Sequence, residues 1–127
     1  MYLDTDIILA LTKKEDWLKK HVPLSKLKSA KTSVLTIIEA KIVLEREYGR
    51  EEALAVLAYV RKLGIELLPL DTRVLEKSQY LQEKYPQLHI FDAVHAGFAF
   101  VYKELLVSTD TLFPQIEEID CRDPREL

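Results

Sequence analysis

A three-layer α/β/α sandwich on a short parallel sheet is the fold class this sequence predicts. Three observations carry it. Short apolar runs with the length of buried strands alternate with helix-period segments along the whole chain. Several of those runs, Tyr2-Leu3, Leu67-Leu68 and Leu105-Leu106-Val107, are apolar at successive positions rather than alternating, as strands covered on both faces are. At 127 residues with 48% hydrophobic and 31% charged side chains, the chain can bury one core and has no room for a second domain, so residues 1–127 read as a single domain.

Taken in order, Tyr2 to Asp4 reads as a short strand running into a Thr5-Asp6 turn, with a helix from about Ile7. Trp17, Leu18 and Val22 before Pro23 suggest a second short helix, followed by a polar, lysine-rich stretch from Ser25 to Ser29 and a small strand over Lys31 to Ser33. From Val34 to Tyr48, Leu35, Ile38, Ile42 and Val43 keep helical spacing and Gly49 is the stop signal. Arg50 to Leu63 repeats the pattern through Leu54, Leu57 and Ala58 and ends at Gly64, so the two helices form a hairpin. Ile65 to Leu70 reads as a buried strand, and Asp71 as the N-cap of a helix carried by Val74, Leu75, Ser78 and Leu81 as far as Pro86. A further helix spans about Ile90 to Tyr102 with Asp92 in its first turn. Leu105 to Ser108 is a second buried strand followed by Thr109-Asp110, and Ile116 to Asp120 a last edge strand. There is no internal repeat, low-complexity tract or linker.

Composition narrows the function classes. The sequence begins without a basic region and apolar stretch of the secretory kind, and nothing approaches the roughly 20 apolar residues of a membrane span, so a cytoplasmic protein with no membrane partner is expected. Cys121 is the single cysteine, which excludes an internal disulfide and a cysteine-built zinc site. A formal net charge of −3 argues at first sight against nucleic acid.

In open α/β sheets, ligands bind beyond the carboxyl ends of the strands. Asp4, Asp6 and Asp110 fall there, and Asp92 and Glu39 can join them. Each alone has an ordinary explanation: Asp4 and Asp6 as turn and cap chemistry, Asp92 as a helix cap, Asp110 as a turn residue, Glu39 as a solvated side chain. Together they conflict electrostatically, because two carboxylates about 4 Å apart repel by roughly 4 kcal/mol at an effective dielectric near 20. A bound cation or proton uptake resolves the conflict. Oxygen-only ligands point to Mg²⁺ or Mn²⁺, and His21, His89 and His95 show no zinc-ligand pattern.

The order of these acids resembles the PIN domain family of small metal-dependent nucleases, most closely its single-domain VapC-type toxins. The likeness spans nearly the whole chain. Tyr2-Leu3-Asp4-Thr5-Asp6 is similar to the family's opening motif, Glu39 in Thr36-Ile37-Ile38-Glu39-Ala40 to its helix glutamate, Asp92-Ala93 to its Asp-Ala segment, and Leu106-Val107-Ser108-Thr109-Asp110 to its final strand and acidic turn. Ser108 stands where many relatives carry Thr, which keeps the hydroxyl. The resemblance implies an acidic quartet of Asp4, Glu39, Asp92 and Asp110 that is both catalytic and metal-holding, supported by Asp6 and Ser108. It also implies Mg²⁺ or Mn²⁺, a single-stranded RNA substrate cut to a 5′-phosphate and a 3′-hydroxyl, a homodimer, and a small antitoxin protein as partner.

With those five carboxylates set aside, the rest of the chain carries a net charge of +2, so the charge objection weakens. Seven lysines, Lys13, Lys14, Lys19, Lys20, Lys26, Lys28 and Lys31, face only Glu15 and Asp16 within their stretch; they can track RNA phosphates or simply form a solvated face. His95, one turn after Asp92, is either a phosphate or water contact at the site's border or a packed helix histidine. Trp17, Phe98 and Phe100 are core or interface residues first and base-stacking candidates second. Trp17, Leu18, Leu54 and Tyr59 are candidates for dimer or antitoxin surfaces, with a core role as the alternative.

Two other readings compete. Asp4-x-Asp6 also resembles the opening of haloacid-dehalogenase-type phosphatases, but the chain after Ser108 is too short for that family's later motifs. A PIN-fold module that binds RNA or protein without catalysis is the serious alternative to an enzyme.

Overall fold

The computed structural model describes residues 1–127. Five strands form one parallel sheet in the order β3-β2-β1-β4-β5: β1 is Tyr2–Leu3, β2 Lys31–Ser33, β3 Glu66–Leu68, β4 Leu106–Val107 and β5 Cys121–Arg122. Five helices accompany them, α1 Thr5–Thr12, α2 Val34–Tyr48, α3 Arg50–Lys62, α4 Thr72–Lys84 and α5 Ile90–Val101.

Strand alternation splits the core in two. Leu3 and Val107 point to one face, where Ile7, Ile8, Leu44, Val56 and Val60 bury the α1, α2 and α3 layer. Tyr2 and Leu106 point to the other, where Val74, Leu81, Phe98, Phe113 and Ile116 pack the α4 and α5 layer. Each fully buried aliphatic side chain contributes about 1.5–3 kcal/mol, so two-residue strands suffice because both faces are covered.

The helix starts are set by side chains. Asp4 caps α1 by accepting the Thr5 N–H, Ser33 caps α2 by accepting from Thr36, and Asp71 caps α4 by accepting from Val74. Gly49, at a φ of 100°, is the turn shared by α2 and α3, a backbone conformation that a side chain would strain.

Three expectations are corrected. The first helix begins at Thr5 rather than Ile7, because the Asp4 cap nucleates it directly. The stretch around Trp17 is not a helix but a loop with two 3₁₀ turns, Lys19–His21 and Leu24–Lys26, anchored by buried Leu18, Val22 and Leu27; Asp16 accepts the Leu18 N–H and Pro23 interrupts any continuous ladder. The last strand is Cys121–Arg122, not Ile116 to Asp120: Phe113 and Ile116 turn inward to plug the second core, and pairing with β4 resumes only after that turn.

The α4 and α5 contact depends on a small residue. A Cβ at Gly97 would lie 2.6 Å from Ser78 Oγ and 2.9 Å from the Val74 carbonyl oxygen. Gly97→Ala should therefore destabilise the protein by about 1–3 kcal/mol through overpacking, despite alanine's better helix propensity. Urea unfolding midpoints check this, and adding Ser78→Ala should recover part of the loss. A stabilised Gly97→Ala protein would contradict the close approach.

Candidate active site

The carboxyl ends of the central strand β1 and its neighbour β4 anchor the acids. Asp4 directly follows β1 and is buried. Its Oδ1 accepts the Thr5 N–H at 2.8 Å, and its Oδ2 accepts the Ser108 hydroxyl at 2.7 Å. Ser108, directly after β4, in turn accepts the Asp110 N–H at 3.0 Å, and Asp110 Oδ1 accepts the Leu112 N–H at 2.9 Å. Asp6, in the first turn of α1, accepts both the N–H and the hydroxyl of Thr109 on Oδ2, while its Oδ1 is buried without a hydrogen-bond partner.

Glu39 reaches the same place from α2, where its Oε1 accepts the Thr5 hydroxyl at 3.0 Å and pairs with His95 Nε2. That ring nitrogen also lies 3.6 Å from Asp4 Oδ1. Asp92 contributes from the first turn of α5, where one oxygen accepts the His89 N–H at 3.1 Å in a capping box; its negative field reaches His95 one turn further on.

Burial and charge act strongly here. Burial pushes the Asp4 carboxyl up, against the pull of His95, Ser108 and Thr5. Asp6 is raised to about 6, chiefly by burial and next by the charge of Asp4. Burial alone would lower His95, but its bond to Glu39 and the fields of Asp4, Glu39 and Asp92 outweigh that and raise it. Burial first, and then the fields of Asp4, Asp6, Asp110 and Asp123, lift the Cys121 thiol on the edge strand to about 11.

The structure thus links Asp4, Glu39 and Asp6 through Thr5, His95 and Thr109, ties in Asp110 through Ser108, and couples Asp92 only through its field. No three His, Cys, Asp or Glu side chains stand together as a ready-made ligand set. The donor chemistry nonetheless fits a hard divalent cation: the acids offer oxygen alone, and Asp6 Oδ1 is an orphaned buried carboxylate oxygen that a cation would satisfy.

Several other candidates fall elsewhere. His95 is only 3% exposed and both ring nitrogens are engaged, so it is a packed histidine serving the acids, not an RNA-contacting surface residue. Lys31 is at the amino end of β2, opposite the acids, and pairs with Glu104 and Glu66. Lys13 pairs with Glu47, whereas Lys14, Lys19, Lys20, Lys26 and Lys28 are exposed. Leu18 and Phe98 are core residues; Trp17, 61% exposed beneath the Arg125 guanidinium, is not, and Leu54 and Tyr59 are likewise exposed. Tyr2, Thr5 and Thr109 touch the site but read in sequence only as strand or turn residues. A polar hydroxyl in an otherwise buried strand was the one available signal for Tyr2.

A family model described as the PIN domain matches residues 1–119, and the chain belongs to that family. No curated protein sequence matches it. Among solved structures its fold is similar to a toxin–antitoxin complex from Klebsiella pneumoniae (18% identity, 97% of this chain and 96% of that chain, TM-score 0.74). It is also similar to VapC20 of Mycobacterium tuberculosis, a sarcin-ricin loop cleaving toxin (15%, 90% and 92%, 0.78), and to DNA-bound VapBC from Salmonella typhimurium (21%, 97% and 96%, 0.78). At these identities the likeness establishes a shared fold. No helix is long and apolar enough to cross a membrane.

The raised Asp6 carboxyl sets a pH dependence in metal-free protein. Folded Asp6 holds its proton up to about pH 6 while the unfolded chain releases it near its ordinary value of 3.8, so this group's penalty is absent below about pH 4 and grows as pH rises to about 6. Asp6→Asn should therefore gain stability over the parent across that window, by on the order of 2 kcal/mol once above it. Urea unfolding at pH 4 and pH 7 without metal checks this; a stability difference unchanged between the two would count against it.

Proposed function

We propose that the chain is a metal-dependent endoribonuclease that cleaves single-stranded RNA and acts as the toxin of a toxin–antitoxin pair. The observation that carries the reading is the gathering of Asp4, Asp6, Glu39 and Asp110 around the carboxyl ends of the paired strands β1 and β4 of a PIN domain. Asp4, Glu39, Asp92 and Asp110 would hold Mg²⁺ or Mn²⁺, with Asp6 and Ser108 in support. The bound ion would lower the pKa of a water and neutralise charge developing on the scissile phosphate. The chain's own contribution is to fix the acids: Ser108 and Thr5 hold Asp4, Thr109 holds Asp6, and the α1 N-terminus favours negative charge beside it. Exposed Lys14, Lys19, Lys20, Lys26 and Lys28 supply cationic surface for the RNA backbone.

In a cleavage assay on single-stranded RNA, activity should require Mg²⁺ or Mn²⁺, vanish with EDTA, and fall by at least about a hundredfold in Asp92→Asn and Asp110→Asn with unchanged circular dichroism. The backbone N–H groups that engage Asp92 and Asp110 favour one second reading, a PIN-fold module that binds RNA or protein without cutting. RNA binding without cleavage under any divalent metal would select it. Family membership leaves the haloacid-dehalogenase reading without support.

The toxin reading extends to partners. A homodimer and a small inhibitory antitoxin are proposed, the latter occluding the acids with an arginine whose guanidinium pairs with carboxylates. Exposed Ile38, Ile42, Leu54 and Tyr59 on the α2 and α3 hairpin provide apolar surface for such contacts. Light scattering at micromolar concentration should give the dimer mass, and the product of a neighbouring gene should block cleavage. A monomer with no inhibitory partner would move the reading to a stand-alone nuclease.

A further inference from the structure

We infer that Tyr2 and His95 form a positioning device that presents Glu39 to the site; this rests on the nuclease reading above. Three hydrogen bonds, closed into a ring by the backbone of α2, tie β2, β1, α5 and α2 together. Ser33, the residue that caps α2, lies 2.7 Å through its Oγ from the Tyr2 hydroxyl on β1. The same hydroxyl lies 2.7 Å from His95 Nδ1 on α5, and His95 Nε2 meets Glu39 Oε1, back on α2 and six residues beyond the cap. Tyr2 is fully buried and stacks on Phe98, so its ring cannot turn away.

Donor counting gives the ring a direction. A carboxylate only accepts, so Nε2 donates to Glu39 whatever the charge of the imidazole. In the neutral ring, Nδ1 accepts from the Tyr2 hydroxyl and Ser33 donates to the Tyr2 oxygen, while Ser33 Oγ still accepts the Thr36 N–H. In the charged ring Nδ1 donates to Tyr2 instead. Tyr2 thus holds the imidazole in the same orientation in both forms.

The consequence falls on one oxygen. Both His95 and Thr5 converge on Oε1 of Glu39, and Oε2 makes no hydrogen bond within the protein. One carboxylate oxygen is clamped and the other is left to bind, the division of labour expected of a positioned ligand. A packing role alone would need neither the tyrosine hydroxyl nor a nitrogen at the Nε2 position.

The test uses the full chain with Mn²⁺ as the probe, reading Mn²⁺ affinity by calorimetry, and kcat and KM for RNA cleavage. Urea unfolding confirms that each variant is folded at the assay temperature. Tyr2→Phe, which removes only the hydroxyl, should weaken Mn²⁺ binding and lower kcat by about tenfold each, with KM unchanged. His95→Leu should lose more, and His95→Gln should recover part of that loss, because its amide nitrogen can stand where Nε2 does. Wild-type affinity and kcat in Tyr2→Phe and His95→Leu, or a Gln variant no better than Leu, would overturn the positioning role while leaving the nuclease reading intact. A parent chain that neither binds Mn²⁺ nor cuts RNA would overturn the nuclease reading and this inference with it.

Discussion

Burying carboxylates at the carboxyl ends of β1 and β4 is the constraint on which the rest of the structure turns. An ionised carboxylate without partners is very costly away from water, and Asp4 and Asp6 are placed where both burial and mutual repulsion act. The fold meets the cost with short-range donors. Ser108 and the Thr5 N–H serve Asp4, Thr109 serves Asp6 twice, and His95 brings a polar ring between Asp4 and Glu39. These donors come from three different elements, so the acids cannot assemble unless β1, β4, α1 and α5 are already in register.

The same constraint explains the economy of the sheet. Parallel pairing brings the carboxyl ends of neighbouring strands together, and the direct pairing of β1 with β4 sets Asp4 beside Ser108. Because the sheet is covered on both faces, successive residues of β1 serve different layers: Leu3 packs under α1 and α2, and Tyr2 reaches through the other layer to His95. A single strand residue thereby connects core packing with the polar cluster.

Charge is segregated along the same axis. The amino end of the sheet is neutralised by compact ion pairs in which Lys31 bridges Glu104 and Glu66. The carboxyl end keeps an excess of acid, whose field adds to burial in lifting the Cys121 thiol on the edge strand. That imbalance costs stability, and a protein selected for stability alone would remove it. No lysine of the loop after α1 forms an ion pair with these acids, so one chain carries both an anionic cluster and cationic surface.

The alternation of strand-length apolar runs with helical periods was enough to determine the α/β sandwich, the α2 and α3 hairpin and the capping role of Asp71, because each depends on local periodicity and cap chemistry. Asp4 and Asp110 were legible as strand-end carboxylates for the same reason: parallel strands place their carboxyl ends on one edge. The loop around Trp17 and the last strand were misread because apolar residues there anchor turns into two separate cores, and periodicity does not distinguish an anchor from a ladder. Only the tertiary structure decided that His95 lies inside rather than at the surface, that Lys31 belongs to the opposite end of the sheet, and that Tyr2 reaches the acid cluster. Each of those depends on which residues face one another across elements tens of positions apart, and side-chain direction at that separation is fixed by packing rather than by sequence spacing.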